Sequence, residues 1–577
     1  MTFSKNYHIA DKKFRELLLP TIMMAASNSL ITLVDSVIVS RLCGGDRLAA
    51  IQITMPLESL LSLIIWTIGI GGSLICFEKK AAGKSREGNQ VFTVSLCALL
   101  VISALLCAGV ALFKEPILTM LCPDAEIRAL AGQFLEMQVL TYIPAAYVMG
   151  LAYFMRADDR ATLAFLILLI SNTVNLCMDF VYIQGFGMDI RGASLATLTG
   201  YIVACAVTVL YFIRGNCTLR FCFQSCSPAK NLKSIIIRGF PASAISLYEV
   251  GRGIVINRVI TKLSATALVA FSIFRSSTFI PSILYVGVGQ TMLPLVSAFH
   301  QEKDYASVRH ITRKALLIVA IGAGAFAALI MICPALLIRL FYRGEIMNQD
   351  MIMSALRLLP FTYIWVGIVF ILTFYLQAIQ RLKVSNILSF LDGFAIPSVL
   401  MVTLSALFGI TGSWIAISFS SFVVLLIYLF YTLKKGNGFF LLSPVERSVL
   451  LDVSVPTNTK AITDLSESIR NQLLNSDLNG RAHIVALTVE EAAVSILQQC
   501  PNVRSIDIAL RKTDDQVLVC LRNIGNEFDL LAGYKESPFG NAACIRAVSS
   551  NVDYCRITGI NCTRITIETA SDKAGIS

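Results

Sequence analysis

Apolar residues run along most of this chain in long blocks, with few charges inside them and no period-two alternation. Twelve blocks stand out, near 15–41, 48–77, 91–113, 130–155, 161–183, 190–213, 236–261, 265–298, 312–338, 352–378, 384–409 and 411–433. Each is long enough to cross a bilayer, which takes about 20 residues. The first block is too long for a signal-peptide core and has no small-residue cleavage site after it, so it reads as a retained span. Pro20 inside it lacks an N–H and predicts a kink. Beyond residue 436 the pattern changes. Segments 449–455, 505–510, 516–521 and 563–567 read as strands, and 459–475, 483–499 and 541–550 as helices. Their order predicts an α+β sandwich, helices against an antiparallel or mixed sheet.

Composition agrees with a polytopic membrane protein plus one further domain. Of 577 residues, 56% are hydrophobic and only 15% charged, where a soluble protein carries about 25% charge. Mean hydropathy is +0.71. These figures exclude a disordered chain, a collagen and a typical cytosolic enzyme. The net charge of +11 is uneven: residues 1–436 hold 35 Lys+Arg against 21 Asp+Glu, and the remainder holds 13 against 16. A seam at 434–438 therefore separates a basic body from a weakly acidic tail. The basic excess lies in loops between apolar blocks, which speaks of membrane topology and against a nucleic-acid partner. With a cytoplasmic N-terminus, inside segments hold 23 Lys+Arg and outside loops 9. That bias predicts a multi-pass protein of the cell membrane with both termini cytoplasmic. The sixteen cysteines are scattered, as expected of free thiols facing a reducing compartment. Cys217, Cys222 and Cys226 lack a CxxC spacing and have no nearby His, so no metal site is expected.

The body repeats itself at a shift near 220 residues. Pro20 falls on Pro241, Arg41 on Lys262, Gly69 and Gly71 on Gly287 and Gly289, and Gly192 on Gly412. The expected domains are a six-helix half at 1–213, a second at 214–435 and the tail at 436–577. Six spans return the chain to its starting side, so the halves share one orientation about an axis along the membrane normal. Two such bundles rocking about a central cavity suit a secondary transporter better than a channel or a membrane enzyme.

Charges inside the blocks are the candidate chemistry, because a mid-bilayer carboxylate is costly unless paired, hydrated or protonated. Asp35 lies two thirds along the first block. Asp179 closes the fifth, with Asn175 and Asn172 four and seven residues before it on one helix face. Such oxygens suit a proton or a sodium ion. Glu249 lies inside the seventh block with Arg252 in salt-bridge reach. Glu58, Glu136, Arg258, Arg275 and Asp392 are the remaining charges, for which helix-end solvation or pairing is the plainer reading.

The run Val34-Asp35-Ser-Val-Ile-Val-Ser-Arg-Leu-Cys-Gly-Gly, then Leu48-Ala-Ala, Pro56 and Gly69-Ile-Gly71-Gly72, resembles the opening of a multidrug and toxic compound extrusion (MATE) transporter. Asn172-Thr-Val-Asn175-Leu-Cys-Met-Asp179, Gly192-Ala-Ser-Leu-Ala196, Arg238-Gly-Phe-Pro241 and Gly289-Gln-Thr-Met-Leu-Pro294 extend the likeness over residues 13–435. The resemblance implies a V-shaped exporter of two six-helix lobes, driven by protons or sodium ions and moving small organic cations or drugs. It implies an ion or substrate role for Asp35, for Asn175 and Asp179 as some subgroups have them, and for Glu249 as another has it. Lys383 departs from that last subgroup, which has an acidic residue nearby, and so favours the first-half site. In the mechanism this suggests, protonation of Asp35 repacks the first helix around Pro20 and releases a cationic substrate. A flippase for lipid-linked or amphipathic substrates, and a membrane receptor or partner-switching signalling protein, are the alternatives.

The tail resembles the ATP-binding domain of the GHKL group, and within it the anti-sigma-factor kinases, which suggests a bacterial source. Glu491 stands at the catalytic Glu position, and the segment Leu521-Arg-Asn523-Ile-Gly525 at the adenine-binding turn. Phe539-Gly540 stands at the phosphate-side segment. The ligand positions depart from the pattern: Ser495 replaces the metal-binding Asn, Asn523 the adenine-binding Asp, and Glu527 and Ala542 two glycines. ATP and Mg2+ chemistry is therefore not expected of the tail. A regulatory role or a cytosolic protein partner is.

Overall fold

The computed structural model describes residues 4–81, 85–157, 161–213, 219–222, 228–341, 349–435, 439–440, 449–500, 503–513, 516–526, 528–530, 541–557 and 560–568. The first half of the body is built from α1 (His8–Cys43), α2 (Gly45–Ala81), α3 (Ser85–Leu112), α4 (Lys114–Leu121), α5 (Ala125–Ala157), α6 (Ala161–Asp179) and α7 (Asp189–Ile213). The second half holds α8 (Pro228–Leu263), α9 (Ala265–Ser277), α10 (Phe279–Gln301), α11 (Tyr305–Ile332), α12 (Pro334–Phe341), α13 (Gln349–Leu358), α14 (Phe361–Ala378), α15 (Leu382–Phe390) and α16 (Ile396–Lys435). Among the described residues, nine helical segments are long and apolar enough to cross a membrane.

The breaks between helices have local causes. The block expected at 265–298 is divided at Thr278, where α9 ends and α10 begins. The last two blocks form the 54-residue segment Leu382–Lys435, interrupted by a π-helical turn at Leu391–Ala395. Gly409 then breaks α16 with φ 59° and ψ −136°, a conformation open to glycine because it has no Cβ. A second π-helical turn, Phe180–Gly185, follows Asp179 directly. α1 passes through Pro20 as one helix. Thr21 Oγ1 there donates to Leu17 O at 2.8 Å, the back-bonding that bends helices slightly.

The tail holds β1 (Val449–Pro456), α17 (Thr459–Leu474), α18 (Ala482–Gln499), β2 (Ser505–Thr513), β3 (Gln516–Ile524), α19 (Asn541–Val548), β4 (Asn551–Ile557) and β5 (Ile560–Glu568). The sheet order is β1-β2-β3-β5-β4, and every pairing is antiparallel. β4 is the one strand that the hydrophobic pattern does not predict. Its Asn551, Asp553 and Arg556 give a weak apolar face, and pairing with β5 supplies the order instead. Val455, Ile508, Val519 and Ile565 point from one sheet face into a core shared with Leu465 and Val489 of the helices. The alternate residues Asp452, Ser454, Asp507, Arg511 and Arg522 take the opposite face, as the two-residue period requires. Asp507, Arg511 and Arg522 are nonetheless buried; residues 5–6 and the turn at 302–304 cover that face at Asp452, Ser454 and Arg522.

Candidate transport site and tail interface

Asp35 on α1 and Asp179 at the end of α6 meet inside the first half, close enough for the carboxyl groups to interact directly. Asp179 is fully buried, and neither of its oxygens finds a hydrogen-bond donor among the described residues. It is therefore not a solvated helix end: α6 does end there, but the switch to a π-helical turn carries the carboxyl inward. Two facing carboxyls, one of them without a donor among the described residues, repel unless a proton or a cation lies between them. Asn175, one turn earlier, does not join them; its Nδ2 donates to Thr197 Oγ1 on α7 at 3.2 Å.

Glu249 belongs to a different place. It lines a cavity of about 440 Å³ between α2, α8, α9, α10, α14 and α16, so of the four ion- or substrate-site candidates only Asp35 and Asp179 come together. Glu249 lies 3.9 Å from Arg252 on its own helix. Glu58 and Arg275, not singled out from sequence as ligands, line the same cavity. Glu58 accepts from Gln138 Nε2 at 3.0 Å, while Arg275 makes no ion pair among the described residues. Gln52 Nε2 donates to Ser276 Oγ at 3.2 Å, and its buried Oε1 has no partner there. The wall opposite is aromatic, with Phe274 stacked on Tyr363 at 5.4 Å. A charge deep in an apolar run was the signal that could have found Glu58 and Arg275.

The two halves meet along α2 and α8. A Cβ on Gly239 would lie 1.8 Å from Thr67 O, and one on Gly71 2.2 Å from Ile235 O, so these glycines let the backbones touch. Thr67 Oγ1 and Ser243 Oγ lie 2.5 Å apart, and Asn257 Nδ2 donates to Ile53 O at 3.2 Å. At the tail end α1 crosses to the other half. Thr21 and Thr291 share a hydroxyl contact, Asp11 Oδ1 takes Lys314 Nζ at 2.6 Å and His310 Nε2 at 3.0 Å, and Tyr7 stacks on His310.

A helical body of this plan, seamed by α2 and α8, matches the MatE family profile over residues 20–181 and 241–397. The chain belongs to the MatE family. Its members are transporters, not enzymes. The chain is 23% identical over 369 residues to the multidrug export protein MepA of Staphylococcus haemolyticus (strain JCSC1435), spanning 63% of this chain and 80% of that protein. With MepA of Staphylococcus aureus (strain MSSA476) the identity is 24% over 376 residues, with the same shares. Among solved structures, an inward-facing conformation of a multidrug resistance MATE family transporter of the MOP superfamily gives a TM-score of 0.67 at 19% identity, covering 73% of this chain and 98% of that one. The MATE multidrug transporter DinF-BH, solved as a complex, gives 0.60 at 21% identity, covering 75% and 97%.

What this MatE chain carries beyond its body is joined to it by charge. Asp304, in the turn between α10 and α11, caps α11 by accepting from Ser307 N at 3.0 Å. The same carboxylate takes Lys5 Nζ at 2.7 Å and pairs with Arg522 of β3. Lys5 reaches on to Asp452 of β1 at 2.7 Å, Arg522 also pairs with Glu302, and Arg564 of β5 lies 3.8 Å from Glu302. Ser454 donates to Asp507 at 2.6 Å, and its own Oγ receives Asn6 N at 3.2 Å. Burial by itself raises Asp304, but Arg522 and Lys5 outweigh it and hold the carboxyl well below its usual range. Burial raises Asp452, helped by nearby Asp304 and opposed by Lys5. Burial likewise raises Asp507.

Glu491, Ser495 and Asn523, on which the tail's sequence resemblance rests, lie on the helix-covered side of the sheet. Glu491 and Ser495 sit one turn apart on α18, and Ser495 Oγ donates to Glu491 O at 2.8 Å, so that hydroxyl is held by its own helix. Asn523 is buried at the end of β3 beside Cys500. Gly525 follows, packed close to Val503 and Cys500. Gly540, like Cys217 and Cys226, lies outside the described residues. Among the described residues no cluster of metal-ligating side chains occurs.

Proposed function

We propose that this chain exports small organic cations and drug-like compounds across the cell membrane by alternating access of two six-helix halves, coupled to a proton or sodium ion moving through the Asp35–Asp179 pair. The observation that carries the reading is the fully buried Asp179 carboxyl, without a donor among the described residues and facing Asp35. Occupied by a cation or proton the pair is at ease; emptied, it is two charges in a low-dielectric site, and that difference is what couples ion to conformation. The positive-inside count supports cytoplasmic termini, with the tail there as a regulatory, non-catalytic unit. The drug-export names of its relatives support the substrate class.

The test is efflux of a fluorescent organic cation such as ethidium from proteoliposomes under an imposed proton or sodium gradient. Transport driven by one gradient and abolished in Asp35→Asn is expected. Full transport by Asp35→Asn under both gradients overturns the coupling site.

A further inference from the structure

We propose that the tail is an autoinhibitory clamp, its polar sheet face bridging the two halves of the transporter at their tail-side ends. The proposal rests on the alternating-access reading, since a clamp matters only if those ends must move apart. One arm of the bridge is the segment before α1: Lys5 pairs with Asp452, Asn6 N donates to Ser454 Oγ, and Ser454 N donates to Ser4 O at 3.4 Å. The other arm is the α10–α11 turn, where Glu302 and Asp304 receive Arg522. α1 belongs to the first half and the turn to the second, so one rigid sheet holds both. The clamp sits where the halves already touch through Asp11, His310, Lys314 and Tyr7.

The chemistry of this face fits a contact that opens. A permanent interface is apolar, and separating it exposes oil to water. Here the central contacts are carboxylates and guanidinium or ammonium groups, which water solvates once the faces part. Such pairs fix register more than they add affinity. The face is also distinct from the helix-covered one that carries Glu491 and Ser495, so a ligand or protein on the helical layer has access while the clamp is shut.

The experiment uses the full-length protein in proteoliposomes. Asn6→Cys combined with Ser454→Cys ties the first arm by a disulfide, with each single variant controlling for the native thiols. Oxidation is expected to slow transport at least tenfold, with recovery in dithiothreitol. Arg522→Gln, which loosens the second arm, is expected to raise basal transport several-fold. Wild-type transport by the cross-linked protein, or slower transport in Arg522→Gln, overturns the clamp. Amide exchange gives an independent reading: in Arg522→Gln the first turns of α1 and α11 should exchange at least tenfold faster while β2 and β3 stay protected. Faster exchange without transport in any variant keeps the clamp and removes the exporter reading. Unchanged exchange removes the clamp.

Discussion

Arg522 and Asp304 stand 218 residues apart in sequence and pair in a space where both side chains are almost wholly buried. Asp304 is at once the cap of α11 and the anchor of the tail, so one carboxylate ties a helix start to a domain contact. Removing one member of a buried pair leaves a charge without compensation, at a cost of about 3–5 kcal/mol. Asp304→Asn and Arg522→Gln should each release the tail, seen as faster limited proteolysis of the tail with little change in body thermal stability.

The acid dependence of docking has a worked sign. The Asp304 carboxyl is held low in the docked state, so its contribution is present above the ordinary carboxylate range and is lost as pH falls through its docked value. Asp452 and Asp507 are raised instead, so docking takes up protons at these two and strengthens as pH falls toward the ordinary range. Lys5, Arg522 and Arg564 face these carboxyls, and Glu302 shares the site. Docking followed by limited proteolysis should tighten as pH falls from neutrality toward the ordinary carboxylate range and weaken only in acid below that range. Monotonic weakening from neutrality would contradict the assignment.

Asp35→Asn and Asp179→Asn should lower coupled export at least tenfold and yet leave the protein as stable or more so. A neutral amide in place of one of two facing carboxyls removes a repulsion and supplies a donor, and buried charges replaced by neutral groups often gain about 1–4 kcal/mol. Efflux and a thermal-unfolding scan on the same preparations check both halves of the expectation. A large loss of thermal stability would mean that the pair is structural.

The helical body was legible because a bilayer demands long apolar blocks, and the block edges fall within a few residues of α2, α6 and α7. Asp35 and Asp179 were legible as charges where charge is costly. What sequence did not separate is the Asp35–Asp179 pair from Glu249: an apolar block records that a helix is buried, not which neighbour each face meets. Asn175 shows the same limit, since its spacing puts it on the face of Asp179 while its hydrogen bond goes to α7. The tail strands followed from alternation, and Asp452, Asp507 and Arg522 were on the alternating polar positions that normally face water. Their burial depends on docking against residues 302–304, a contact with no local signature.

Gly239 offers a test of the α2–α8 seam. A methyl group there would sit 1.8 Å from a carbonyl oxygen of Thr67, which is backbone and cannot swing aside. Gly239→Ala should force the helices apart and cost about 1–3 kcal/mol, with a lowered Tm and reduced transport. Gly109→Ala, where a Cβ meets nothing within 4 Å, is the control and should gain up to about 1 kcal/mol from helix propensity.

Besides the Glu249–Arg252 pair of α8, the central cavity sets the Glu58 carboxylate of α2 against the Arg275 guanidinium of α9. Glu58 on α2 takes an amide hydrogen bond but no ion pair among the described residues. Arg275 on α9 likewise lacks an ion pair among them, although both line one space. Gln52 bonds next to Arg275 through Ser276, and six residues of α2 separate it from Glu58, about 9 Å along the helix. A bound cation should therefore lie toward Glu58. Glu58→Gln should weaken binding of an organic cation about tenfold, or ~1.4 kcal/mol, read by fluorescence titration. Arg275→Gln should leave a compound with a single positive charge unaffected or bound more tightly, because it removes a like charge. For a compound that also bears a carboxylate, the same change should weaken binding. If both variants shift both compounds equally, the two side chains are serving the packing of the cavity wall and not the reading of charge.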